Sequence, residues 1–226
     1  MNKSGKPAHK SQQGFTLVEL MVALVVAMIL SAAVYGVYKV QVRTSTAQDQ
    51  VTEMQQNIRA AYLMLTRDLR MAGFDPNKSG KAGITTATET QFRFTQDLWD
   101  TLGTGESDGK IDGPREDADY RLNGDEIGVQ YGGAGGYQPI AENIQQIQFF
   151  YKLKDDTRTL APTAAQLKEI ETITVSILAR AGQPDFNYTD TKTYILGDGN
   201  PIAGPNPPND NFRRRLFISE VACRNI

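Results

Sequence analysis

The segment from Phe15 to Tyr38, FTLVELMVALVVAMILSAAVYGVY, limits what this chain can fold into more than any other stretch. It is apolar almost without interruption and would be about 36 Å long as a helix, enough to cross a hydrocarbon core of about 30 Å with modest tilt. Glu19 stands inside it near the beginning. A lone carboxylate at the centre of a membrane helix costs about 2.5–3.5 kcal/mol on insertion scales. The segment therefore needs an account that includes its acid.

What precedes and follows it narrows that account. Residues 1–14 are polar and carry Lys3, Lys6 and Lys10 with no acid. Positive charge ahead of a hydrophobic helix holds that end in the cytoplasm. Lys39 and Arg43 follow the helix and weaken the asymmetry. A cleaved secretory signal would use Ser31-Ala32-Ala33 as its small-residue site. Neither that reading nor a plain signal anchor gives Glu19 a purpose.

Gly14-Phe15-Thr16-Leu17-Val18-Glu19 resembles the processing site of type IV prepilins. The resemblance rests on the basic leader, the Gly-Phe junction, the Glu spacing and the bilayer-length helix occurring together. It implies that a prepilin peptidase cleaves after Gly14 and that the new amino terminus of Phe15 is methylated. Glu19 is then an assembly residue. A carboxylate one helical turn from a buried amine, or on a neighbouring subunit, neutralises it, and such a pair sets register better than it adds stability.

The helical pattern continues beyond the membrane. From Gln41 to Ala72 there is no proline, and Val51, Met54, Ile58, Ala61, Leu65, Leu69 and Ala72 recur every three or four residues. That makes one apolar stripe on an otherwise wet helix. Gly73 suits a C-cap, and Pro76 lies just beyond. Gly36 is the only glycine in the membrane half; it is either a soft point in the helix or a small packing residue. The ending Arg67-Asp68-Leu69-Arg70-Met71-Ala72-Gly73-Phe74 resembles that of the PilW family of minor pilins, and more loosely that of J-type pseudopilins.

After Gly73 the texture changes to short alternating runs between Gly, Asn, Asp and Pro. Strands are expected at 90–97, 120–122, 126–131, 137–140, 147–153, 172–181, 194–196 and 215–223. Asn123-Gly124 is a hairpin turn, Gly132–Gly136 a second turn rather than a phosphate loop, and 164–170 a short helix. Residues 197–211 read as an exposed loop. The expected fold is α+β and type IV pilin-like: a long N-terminal helix packed on one face of a mostly antiparallel sheet. The expected divisions are a leader at 1–14, a transmembrane and filament-core helix at 15–38, its amphipathic continuation at 39–73 and a β-rich globular domain at 74–226.

Composition removes much chemistry. His9 is the only histidine and Cys223 the only cysteine. A Cys/His zinc site and a histidine-dependent nucleophile system cannot be built from these, and an enzyme is not expected. Removing residues 1–14 would lower the 24 Lys and Arg by three to 21, against 26 Asp and Glu, a formal side-chain charge of −5 with no histidine left. No nucleic-acid partner is expected from that balance. No cofactor is expected beyond a calcium option at 104–116, where Glu106, Asp108, Asp112 and Glu116 are the candidate ligands. Thr104 and Arg115 stand where an Asp and a bidentate Glu are wanted, which favours a solvated acidic loop. Arg213-Arg214-Arg215 reads as a charged strand edge, or as a contact to an acidic partner or DNA.

The resemblance implies a minor pilin that helps prime pilus assembly and joins the tip complex. Its implied partners are the prepilin peptidase, other minor pilins, the major pilin, the inner-membrane assembly platform and a tip adhesin. The implied location is the inner membrane, N-terminus cytoplasmic, and then the pilus at the cell surface. Two alternatives stay open: a J-type pseudopilin of a type II secretion system, and a membrane-anchored binding domain that does not polymerise.

Overall fold

A computed structural model describes residues 14–98, 107–113, 115–133 and 135–226. One helix, α1, runs without a break from Leu17 to Met71. Its contacts place the chain in two compact units divided after Ala47. In the first unit the helix is apolar on nearly every side up to Tyr38, with mean hydropathy 2.6 over its most apolar 18-residue window. No interior proline interrupts it, and Ser31, Thr44 and Thr46 return their hydroxyls to carbonyls one turn back.

In the second unit α1 is amphipathic. Met54, Ile58, Ala61, Leu65, Leu69 and, just past the helix, Ala72 are buried, and Val51 is half-buried against the same core. The stripe read from the sequence is thus the face that packs. Gly73 ends the helix with a left-handed φ of 78°. A side chain there would also strike the Asn225 carbonyl oxygen at 2.5 Å, so glycine is required twice over.

Among the described residues nine strands follow, in two antiparallel sheets rather than the single sheet expected. The first is a meander in sequence order: β1 (Gly83–Ala87), β2 (Gln91–Thr95), β3 (Asp117–Asn123), β4 (Glu126–Tyr131) and β5 (Gln138–Ala141). The β3–β4 hairpin forms where Asn123-Gly124 predicted it, but the two turn residues are Gly124, at φ 69°, and Asp125, while Asn123 ends β3 opposite Glu126. The second sheet contains β6 (Ile144–Leu153), β7 (Arg158–Thr159), β8 (Ile170–Arg180) and β9 (Arg214–Ala222), in the order β7-β6-β8-β9. The short helix expected at 164–170 is a single 3-10 turn, Gln166–Glu169. Tyr194–Leu196 does not join a sheet; Ile195 makes only an isolated bridge to Pro201.

Aromatic side chains tie the two sheets together. Phe92 of β2 lies 5.9 Å from Phe149 of β6, and the Tyr151 hydroxyl donates to the Thr88 carbonyl at 2.8 Å. Ile144 N–H donates to the Asp125 carbonyl, and Phe149 N–H to that of Glu89. One continuous core contains the helix stripe and the facing residues of both sheets.

Candidate functional site

At the start of α1, Thr16 and Glu19 form a reciprocal cap. The Glu19 backbone N–H donates to Thr16 Oγ1 at 3.2 Å, and the Thr16 backbone N–H donates to Glu19 Oε2 at 3.3 Å. This is a capping box, satisfying two of the amides that a helix N-terminus leaves without partners. The Thr-x-x-Glu spacing at 16–19 carries that signal, which the membrane reading of Glu19 passes over. The cap bends the carboxylate back over the helix start, toward the residue that follows Phe15. It gives Glu19 a partner in the isolated chain.

At the other end of α1 a polar anchor joins helix to sheet. Asp68 is buried; its Oδ2 accepts the Tyr120 phenol of β3 and its Oδ1 accepts Arg67 Nε at 2.7 Å. Burial, then the Asp68 charge, raises the Tyr120 hydroxyl well above its ordinary range, so it remains a donor. Across the same face Tyr62 meets Phe217 of β9 edge to face at 4.9 Å and accepts the Ser219 hydroxyl at 3.1 Å. The helix is therefore held by both sheets.

The arginine triplet at 213–215 is divided among three environments. Arg213 pairs with Asp185 at 2.8 Å. Arg214 is buried, forks onto both oxygens of Asp210 at 2.6 Å, reaches Asp190 at 3.2 Å and donates to Gln145 Oε1. Asp190 has no exposure and also accepts the hydroxyls of Tyr188 and Tyr194. Only Arg215 is exposed on the edge strand as a charged edge should be. Arg213 and Arg214 instead pin residues 185–210 to the start of β9.

That pinning corrects the expectation of a plain exposed loop at 197–211. Ile202 is buried, and it packs with Tyr194, Leu196 and Leu178 as a second small core, with Leu216 half-buried against it. Gly197 crosses β8 so closely that a side chain would meet Thr174 Cγ2 at 2.6 Å.

Of the four candidate calcium ligands, the structure describes Asp108, Asp112 and Glu116. Glu106 lies outside the described residues. Among the described residues no group of three or more His, Cys, Asp or Glu is gathered for a metal. Asp108 pairs with Lys110 at 3.0 Å. Glu116 is buried and accepts the backbone N–H groups of Leu98, Asp112 and Gly113, so it organises the loop from within. Asp112 enters by its backbone. Cys223 is half-buried, and burial pushes its thiol up to about 12, which favours the protonated form.

A long capped helix, apolar for its first half and docked by a stripe for its second, standing on antiparallel sheets, has the type IV pilin-like fold. Among solved structures the chain is similar to the type IV-like pilin TTHA1219 from Thermus thermophilus, at 13% identity and a TM-score of 0.51, over 76% of this chain and 95% of that one. Residues 9–35 match the prokaryotic N-terminal methylation motif, and residues 116–225 match the Type IV Pilus-assembly protein W model. No curated protein matches the sequence. The chain has the type IV pilin-like fold. From Glu116 to Asn225 it is similar to the Type IV Pilus-assembly protein W family.

Proposed function

We propose that this protein is a minor pilin that helps prime type IV pilus assembly and takes a place in the tip complex. In this reading residues 1–14 are a leader, cleaved after Gly14 by the prepilin peptidase, and Phe15 becomes the methylated first residue. Residues 15–38 hold the chain in the inner membrane and later lie in the filament core. Residues 39–73 and 74–226 form the part that meets neighbouring subunits outside the membrane. The chain is a structural subunit rather than an enzyme, and its partners are other minor pilins, the major pilin, the assembly platform and a tip adhesin.

The observation that carries this reading is the position of Glu19. Its carboxylate is folded back onto Thr16, the second residue of the proposed mature chain. Cleavage after Gly14 would put a positive amine beside it, on Phe15. A membrane helix that keeps a costly acid at this place gains from it when the amine and acid meet in register, within one chain or between neighbours.

Deleting the gene tests the assignment. Loss of surface pili and twitching with secretion intact supports a pilus role. Loss of exoprotein secretion with pili intact would assign the chain to a type II secretion system. Glu19→Ala that leaves complex formation and function untouched would instead favour a binding domain that does not polymerise.

A further inference from the structure

We propose that the cleft between the end of α1 on one side and strand β9 with the C-terminal residues after it on the other docks an acidic segment of a neighbouring pilin subunit, one with carboxylates on either side of an apolar side chain; this rests on the pilin reading above. Two concavities, of about 570 and 250 Å³, lie along this face and share Tyr62 as a common wall. Arg70 and Arg224 line the larger one, and Arg59 and Arg215 the smaller. All four are exposed, and none has an ion-pair partner among the described residues.

The arrangement is built by both elements. Positions 59, 63, 67 and 70 fall on one side of the helix at spacings of four and three. On β9 the residues alternate: Phe217 and Ser219 touch Tyr62, and Arg215 lies on that same face. Arg214 and Glu220 point the other way, where Glu220 meets Thr174. The strand thus turns its cation toward the cleft and its acid away. Arg224 is held in place because Asn225 next to it donates to the Arg70 carbonyl at 2.8 Å.

The floor is apolar. Leu63 is 62% exposed beside Met71 and Phe74. Nucleic acid needs a continuous basic track and surfaces for phosphate, whereas this chain has 24 basic against 26 acidic residues and concentrates four unpaired arginines around exposed hydrocarbon. Arginines around an apolar centre are the composition of a protein interface hot spot. β9 also lies at the edge of its sheet, so its backbone is open to an extended segment.

The test places a photocrosslinking amino acid at position 63 of the full chain, in cells that assemble filaments. The adduct is read by peptide mass spectrometry. The expected adduct is a peptide of another pilin subunit with Asp or Glu flanking an apolar residue. Its yield should fall at least about tenfold in the Arg70→Glu, Arg224→Glu double variant, because like charges across an interface repel. Lysine at the crosslinked acidic positions should restore it. The Arg70→Gln, Arg224→Gln variant, whose melting temperature should match the parent, should also lower the yield; it carries the test if the Glu variant does not fold. An adduct to a second copy, to nucleic acid or to lipid, no adduct, or a yield unmoved by either variant would overturn the proposal. A processed chain recovered in filaments without the acidic adduct would overturn the cleft alone. A chain that keeps its leader and stays out of filaments would overturn the pilin reading and this proposal with it.

Discussion

The Asp68 carboxylate accepts the phenol proton of Tyr120 across 52 residues of chain, inside the core. One partner is on the last turns of α1 and the other on β3, so this contact fixes where the helix ends on the sheet. Tyr120→Phe keeps the ring but leaves a buried carboxylate oxygen without its donor. Such a loss costs about 1–3 kcal/mol. Urea unfolding in detergent should show it, and a double-mutant cycle with Asp68→Asn should be non-additive. A Tyr120→Phe change within about 0.5 kcal/mol of the parent, the range of ordinary surface substitutions, would mean that the bond does not anchor the helix.

Leu65 and Leu63 are two positions apart on the helix with opposite fates. Leu65 is 1% exposed and Leu63 is 62% exposed. Leu65→Ala should destabilise by about 2–5 kcal/mol through lost burial and a cavity. Leu63→Ala should stay within about 0.5 kcal/mol. Equal effects, measured by the same unfolding experiment, would contradict the assigned packing face.

Arg214 and Arg215 make a similar contrast on β9. Removing Arg214 leaves the Asp190 carboxylate buried without its cation, and breaking a buried pair in this way costs about 3–5 kcal/mol. Arg214→Gln should therefore loosen residues 185–210, seen as faster amide exchange there. Arg215→Gln should leave exchange unchanged, because Arg215 is solvated.

Acid should release the same segment. Arg213 holds the Asp185 carboxyl below its ordinary value, and Arg214 does so for Asp210. A carboxyl with a lowered folded pKa stabilises the fold above the unfolded value of about 3.9, and that contribution is lost as pH falls through the folded value. Amide exchange across 185–210, corrected for intrinsic rates, should rise below about pH 4. A flat profile down to global acid unfolding would show that these pairs do not hold the segment.

The helix was legible because its signals are local. The three-four stripe from Val51 to Ala72 and the Gly73 stop lie within a few residues of the contacts they specify. The β3–β4 hairpin was legible for the same reason, to within one residue of its turn. The division into two sheets was not, because it depends on which strands pair across distance: β8 joins β9 past a stretch of more than thirty residues. β1 was missed because GITTA pairs a short alternating run with a partner only a few residues on, and its threonines read equally as loop. Asp68 and Arg214 look like surface charges in sequence. Only their distant partners, Tyr120 and Asp190, show that they are buried. At the candidate site, the Gly14-Phe15 junction and Glu19 could be read directly, while the unpaired arginines of the cleft came together only through the fold.

In the reading we propose, Glu19 meets an amine created on Phe15. Mass spectrometry of the N-terminal peptide of this protein, recovered from sheared surface filaments, tests it most directly. The expected result is a chain beginning at methylated Phe15. A chain found only in the cell membrane with Met1 to Gly14 still attached would contradict it.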